Sequence, residues 1–377
     1  MKTILVLSFS DLATDPRVNR QIRFLSKNYR VVAAGLAPPG VEGVEFVPIV
    51  KKINMIALAL PSLKLLTRRF ESWYWGQDHV IDCLKKLSHL RVDLILANDI
   101  EALPVALRLA QGAKVILDAH EYSPREFEDI FLWRLFLQDY NAYLCRTYIP
   151  RVDAMITVCE GIAEAYEKEF LKRPTVITNA REFEDLSPRP LDYNSSPIRL
   201  AHHGAVGPSR KIENMIHMMD YLDGRFELNL LLIEKWPGYV KYLKRLAKRK
   251  KNIHFLPPVP MRTLPKYLNQ FDLGVFLLEP TNFNYYHALP NKLFEFIQAR
   301  LAIAIGPSPE MTRIVREHDL GVVSRDFSPR ALAECLNQLD SQKINYYKSQ
   351  SHKVAGLLSA QQNQMIFLDL VHRVLQE

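Results

Sequence analysis

The sequence lacks most of the features that would place it quickly. Its four cysteines, Cys83, Cys145, Cys159 and Cys335, are scattered through 377 residues and never form a C-x-x-C pair. That spacing excludes a cysteine-rich zinc site and a disulfide framework, and it points to reduced, buried thiols. No apolar run approaches the ~20 residues that a membrane span requires. The stretch 55–66 is interrupted by Pro61 and Lys64, and the apolar run near the N-terminus turns polar at Ser8, Ser10 and Asp11. It is too short for a secretion signal and no small-residue cleavage site follows it. There is no glycine-rich G-x-G-x-x-G loop after the first apolar run, no internal repeat, no low-complexity tract and no nucleic-acid recognition module. The expectation is a cytoplasmic globular protein without a nucleic-acid partner.

What is present is an ordinary globular balance, 48% hydrophobic and 24% charged, with a formal net charge of +8. A chain of this length can bury a core in each of two domains. Short apolar runs at 4–7, 31–34, 44–49, 93–97, 115–118, 154–158 and 176–178 alternate with amphipathic helical stretches. Compact apolar runs suit strands covered on both faces, and the alternation implies parallel sheets flanked by helices. At the first helix Asp15 suits the N-cap and Pro16 the first helical position, with Val18, Ile22 and Leu25 on one face. A Pro/Asn/Ser-rich break at 186–197 reads as a linker. The alternation restarts at 198–202, 227–233, 253–256, 273–278 and 302–305, and 344–376 is helical in composition. The fold class is therefore α/β, with two Rossmann-like doubly wound parallel-sheet domains, residues 1–190 and 191–377. The last helix is a candidate to pack back on the first domain. Ligands of such sheets sit beyond the carboxyl ends of the strands, and the cleft between the domains is the default site.

Four segments carry chemistry. Leu289-Pro290-Asn291-Lys292-Leu293-Phe294-Glu295 opens a helix after a strand; the helix N-terminus favours phosphate, and Glu295, about one turn in, can accept from two vicinal hydroxyls. The plainer reading is an ordinary helix start with an acid in its first turns. His203-Gly204 through Arg210-Lys211 follows the first strand of the second domain and ends in two cations at a helix start where the macrodipole does not favour them. Asp118-Ala119-His120-Glu121 ends a strand of the first domain, and Asn98-Asp99 ends the preceding one. Asp11, Asp15 and Arg17 line the entry to the first helix, although capping alone accounts for Asp15.

Together these segments resemble glycosyltransferase family 4, a large group of retaining enzymes with the two-domain GT-B fold. Glu295 matches the second of the family's two motif glutamates, which binds the donor ribose; the first falls at His287, a departure. Lys211 matches the lysine that meets the pyrophosphate, while Ala205 stands where many relatives have arginine, leaving Arg210 to supply that charge. His120 matches a strand-end histidine beside the donor sugar. The resemblance implies catalytic roles for His120 and Lys211. It implies donor binding by Gly204, Arg210, Lys211, Pro290, Asn291, Lys292, Leu293 and Glu295. Asp11, Asp15, Arg17, Asp99 and Glu121 are acceptor-side candidates. The implied partners are a nucleotide sugar and a glycan or lipid-linked acceptor, with no cofactor and no metal. Surface polysaccharide or glycoconjugate assembly is the implied setting. Two other readings share the fold: a nucleotide-sugar epimerase, and a degenerate module that binds a sugar nucleotide without turnover.

Two basic stretches remain. Residues 51–70 carry five Lys or Arg and no acid among many Leu and Ile, which fits peripheral contact with an anionic membrane surface. Residues 241–251 carry seven Lys or Arg and no acid, which reads equally well as a solvated helix face.

Overall fold

The computed structural model describes residues 1–51, 59–192 and 197–376. Lys52 and the Asn194-Ser195-Ser196 part of the expected linker lie outside the described residues.

The chain divides into two compact units: Met1–Thr178 with Asn282–Asn284 and Gln364–Glu377, and Asn179–Thr281 with Tyr285–Asn363. In the first unit the strands are β1 (Thr3–Leu7), β2 (Arg30–Gly35), β3 (Glu45–Pro48), β4 (Leu94–Asn98), β5 (Lys114–Asp118), β6 (Ala154–Thr157) and β7 (Thr175–Val176). They form one sheet in the order β3-β2-β1-β4-β5-β6-β7, and every pairing is parallel. Ile4 and Val6, on one face of β1, pack with Val18 and Ile22 of the helix Pro16–Leu25. Phe367, Leu370, Val371 and Val374 of the C-terminal helix join the same core. Asp15 caps the first helix, accepting from the Arg17 and Val18 amides at 3.1 Å, with Pro16 at the first position.

The second unit holds β8 (Ile198–Val206), β9 (Phe226–Glu234), β10 (Ile253–Leu256), β11 (Leu273–Phe276), β12 (Ala302–Ile305) and β13 (Gly321–Val323). Its order is β10-β9-β8-β11-β12-β13, again all parallel. The sequence reading missed β13, whose three residues are only partly buried. β8 is longer than expected. Its pairing with β9 continues through Gly204↔Leu232 to Val206↔Glu234, so Gly204 and Ala205 belong to the strand.

The passage from one unit to the other falls at Thr178/Asn179, ahead of the Pro/Ser-rich break. The physical reason is that residues 179–191 pack on the second unit. Leu191 is in its core, and the Leu191 N–H and C=O are both bonded to the Asn345 side chain.

Candidate functional site

Both sheets have a topological switch point, between β1 and β4 in the first unit and between β8 and β11 in the second. At such a point adjacent strands lead into connections on opposite sides, leaving a crevice at their carboxyl ends. The residues singled out by sequence lie in the segments that follow β1, β4 and β5 in the first unit and β8 and β11 in the second.

In the first unit, β4 ends at Asn98 and β5 at Asp118. The His120 Nε2 lies 3.1 Å from Asn98 Oδ1 and 3.6 Å from Asp118 Oδ2, and its Nδ1 is 3.5 Å from Asp99 Oδ2. Asp99 adopts φ 65°, ψ 159°, a strained backbone for a residue with a side chain and one that recurs at functional sites. Its amide donates to Asp118 O, and its Oδ1 accepts from the His120 amide. His120 and Asp99 therefore form one cluster.

Arg17 differs from its expected role. It is buried, and its guanidinium bonds Asp118 through Nε and NH2, each at 2.7 Å, and Ile177 O through NH1. It is a strut inside the unit. Burial alone would raise the Asp118 carboxyl; Arg17 first, then His120 and Gln21, hold it below its ordinary value. Asp11 and Asp15 also shape backbone: Asp11 Oδ1 accepts from Ala13 N, and Asp15 caps the helix. Glu121 is exposed, and its carbonyl accepts from Tyr166 OH. Glu126, which the sequence reading passed over, is pushed up to about 8 by burial and by the charges of Glu121, Asp99 and Glu101.

In the second unit, Gly204 has φ +111°, and a Cβ there would stand 3.8 Å from Lys292 Cε and Nζ. Only glycine takes this conformation without strain. A 3₁₀ turn, Pro208–Arg210, follows, and Lys211 closes it in the left-handed region at φ 49°. After β11 and the short helix Phe283–Tyr286 comes the helix Asn291–Gln298, with Pro290 at the N-cap. Lys292 is buried, its Nζ 3.3 Å from His202 Nε2 and 4.1 Å from the Phe276 ring centre. Burial, then the charge of Arg210, pushes the Lys292 ammonium well below its ordinary value. Leu293 differs from expectation as well: its side chain is in the core and its N–H is bonded to Pro290 O.

Glu295 is 3% exposed. One oxygen is 3.5 Å from Arg181 NH1 and the other 3.3 Å from His203 Nε2. Burial, Lys292 and Arg181 all push His203 down, which keeps its imidazole neutral. At the departure from the family motif, His287 Nδ1 stands 3.6 Å from Glu310 Oε1, so a carboxylate lies beside that position, supplied by the helix Pro309–Glu317. Arg181 and His202 were not singled out in the sequence, and His203, which opens the second segment, was given no role there. The paired histidines inside an apolar strand were the available signal; Arg181 had none, because it lies more than a hundred residues from its partner.

The first basic stretch gains partners. Lys51 pairs with Glu101 and Arg68 with Asp139, and Lys64 donates to Ser72 O. The helix Ala59–Leu66 contacts the turn Arg134–Gln138 that follows Phe131–Trp133, and Leu63, Leu66, Ile130, Phe131, Leu132 and Leu135 are exposed apolar residues of the ridge so formed, with Phe131 65% and Leu132 62% exposed. Among the described residues no helix is long and apolar enough to cross a membrane.

No protein-family model matches the chain, and no curated protein matches its sequence. Solved structures do match over nearly its whole length. HepE of Anabaena, in complex with UDP-glucose, superposes at TM-score 0.73 with 15% identity, covering 99% of this chain and 100% of that one. Sucrose-phosphate synthase of Thermosynechococcus elongatus gives 0.75 with 13% identity, covering 99% of each. WaaG, a glycosyltransferase involved in lipopolysaccharide biosynthesis, gives 0.61 with 14% identity, covering 97% of this chain and 99% of that one. The chain has the GT-B fold of these glycosyltransferases.

Proposed function

We propose that this protein is a retaining glycosyltransferase that moves a sugar from a nucleotide-sugar donor to a hydroxyl of a glycan or lipid-linked acceptor. The observation that carries the reading is Glu295, a buried carboxylate in the first turns of a helix that opens at the β8/β11 switch point. Ribose hydroxyls donate to that carboxylate. The diphosphate is held by the helix N-terminus of Asn291 and Lys292, by the backbone at Gly204 and by the cations Arg210 and Lys211. Charge that builds on the diphosphate as the glycosidic bond breaks is stabilised by Lys211 and Lys292, which are already in place. The leaving diphosphate takes the acceptor proton, and the acceptor attacks the face that the diphosphate leaves. His120, with Asp99 behind it, is the hydrogen-bonding group for a sugar hydroxyl. No metal is required for this route.

The setting is surface polysaccharide or glycoconjugate assembly at the cytoplasmic face of a membrane. The apolar ridge 130–135 with Leu63, Leu66 and the exposed Arg69 supports peripheral contact there, now with less weight on Lys51 and Arg68, whose charges are paired.

The test is donor turnover with and without acceptor pools. Transfer requires acceptor-dependent release of nucleoside diphosphate and a product of unchanged anomeric configuration. Release that is independent of acceptor supports the epimerase, and binding without release supports the degenerate module.

A further inference from the structure

The chain enters the second unit after Thr178 and leaves it for the last time after Asn363. These two crossings are tied together just inside that unit. The Ala360 amide donates to Arg181 O at 2.7 Å, and the Phe183 amide donates to Gln361 Oε1 at 3.0 Å. The residue at the centre of this knot, Arg181, turns its side chain to the candidate donor site. Its NH1 is 3.5 Å from Glu295 Oε1, and its NH2 donates to Met261 O beyond β10. The guanidinium thus spans the loop after β10, the carboxylate on the helix after β11 and the backbone of the crossing.

We infer that Arg181 is a positioning residue of the donor site, fixing the Glu295 carboxylate for the ribose and linking nucleotide occupancy to the paired crossing segments. The inference rests on the donor site proposed above. Arg181 and His203 face Glu295 at 3.5 and 3.3 Å, and the charge of Lys292 also reaches it. His203 is held neutral and burial disfavours the Lys292 ammonium, so Arg181 supplies a charged contact that bears on the orientation of the carboxylate. A carboxylate held at one oxygen presents its remaining lone pairs in a fixed direction, which is what recognition of two vicinal hydroxyls needs. By linkage, a ligand that prefers the held carboxylate stabilises the Arg181 conformation that holds it, and with it the Ala360 and Phe183 hydrogen bonds.

The test uses the full chain and whichever of UDP, GDP and ADP binds best, with its 2′,3′-dideoxy analogue. In the wild type the parent nucleotide should bind about tenfold or more tightly than the dideoxy analogue, as hydrogen bonds to a charged group imply. It should also slow hydrogen exchange at the Ala360 and Phe183 amides. Arg181→Gln should reduce that discrimination severalfold, chiefly by weakening the parent nucleotide, and abolish the slowing. Arg181→Lys should restore part of both, which a merely structural loss would not do. If none of the three nucleotides binds, or if Glu295→Gln binds the parent as the wild type does, the donor site fails and this inference with it. If binding depends on Glu295 while a folded Arg181→Gln keeps both the discrimination and the slowed exchange, the inference about Arg181 alone is overturned. Should Arg181→Gln not fold, Arg181→Lys decides: unaltered discrimination and exchange would overturn the inference, a partial loss of both would support it.

Discussion

Arg17 and Asp118, 101 residues apart in sequence, meet through two contacts of 2.7 Å in the interior of the first unit. Asp118 has no exposed surface, and the pair joins the first helix to the end of β5, where the chain turns toward His120. Removing the cation leaves a buried carboxylate without its counter-charge. Arg17→Met should therefore cost about 3–5 kcal/mol of stability, and Arg17→Met with Asp118→Leu should recover part of it. Denaturant titration of the two variants checks this.

The same pair sets an acid limit. The folded Asp118 carboxyl is held below its ordinary value of 3.8. Its contribution is fully present above that value and is lost as pH falls toward the folded one. Wild type should lose stability through this window, and the double variant should show a shallower acid slope. Equal slopes would mean that other carboxylates govern acid unfolding.

His120 stands within hydrogen-bonding distance of Asn98 and beside a strained Asp99. His120→Ala should lower turnover by about tenfold or more, the scale of one lost hydrogen bond to a charged or developing-charge partner. Nucleotide affinity should be little changed. Wild-type turnover at saturating donor and acceptor would make His120 structural.

Lys292 is disfavoured as a cation by its burial and by Arg210. At the proposed donor site a diphosphate beside Lys292 should restore the charged form, so binding should take up a proton and weaken as pH rises above the folded Lys292 value. Calorimetry in buffers of different ionisation enthalpy measures that uptake. Lys292→Met should abolish it. The folding term has the opposite pH dependence. A depressed lysine destabilises the folded chain at low pH, and stability gains as pH rises from the folded value toward the ordinary 10.5.

The apolar ridge beside Leu63 and Leu66 gives the membrane reading a separate handle. Binding to anionic vesicles should fall with salt, at about 1 kcal/mol per basic residue near the surface. Phe131→Asp with Leu132→Asp should also remove it, while donor turnover in solution persists. Sedimentation that ignores the ridge substitutions would remove the apolar contribution.

The alternation of short apolar runs with helical stretches was enough to read two parallel α/β sheets, because strands such as β4 and β12 are buried along their length and, apart from Asn98 at the end of β4, wholly apolar. Asp15 and Pro16 marked their helix correctly, since a cap is a local interaction. The roles of Arg17 and Arg181 were not legible. An arginine reads as a ligand group until its partner is known, and Asp118 and Glu295 are each more than a hundred positions away. β13 escaped notice because three partly buried residues carry too little periodicity. The length of β8 was hidden by Gly204, which reads as a loop residue although the strand continues through it at φ +111°.

Glu295 is the residue on which the proposed donor site stands. Calorimetric titration of nucleoside, monophosphate and diphosphate against wild type, Glu295→Ala, Glu295→Gln and Lys211→Ala tests it most directly. Glu295→Ala should weaken every ribose-bearing ligand by about ten- to a hundredfold, from hydrogen bonds to a charged group at about 1.4 kcal/mol per decade. Glu295→Gln should weaken them less, and Lys211→Ala should act on the diphosphate more than on the nucleoside. A folded Glu295→Ala that binds the preferred nucleoside diphosphate as tightly as wild type would contradict the account.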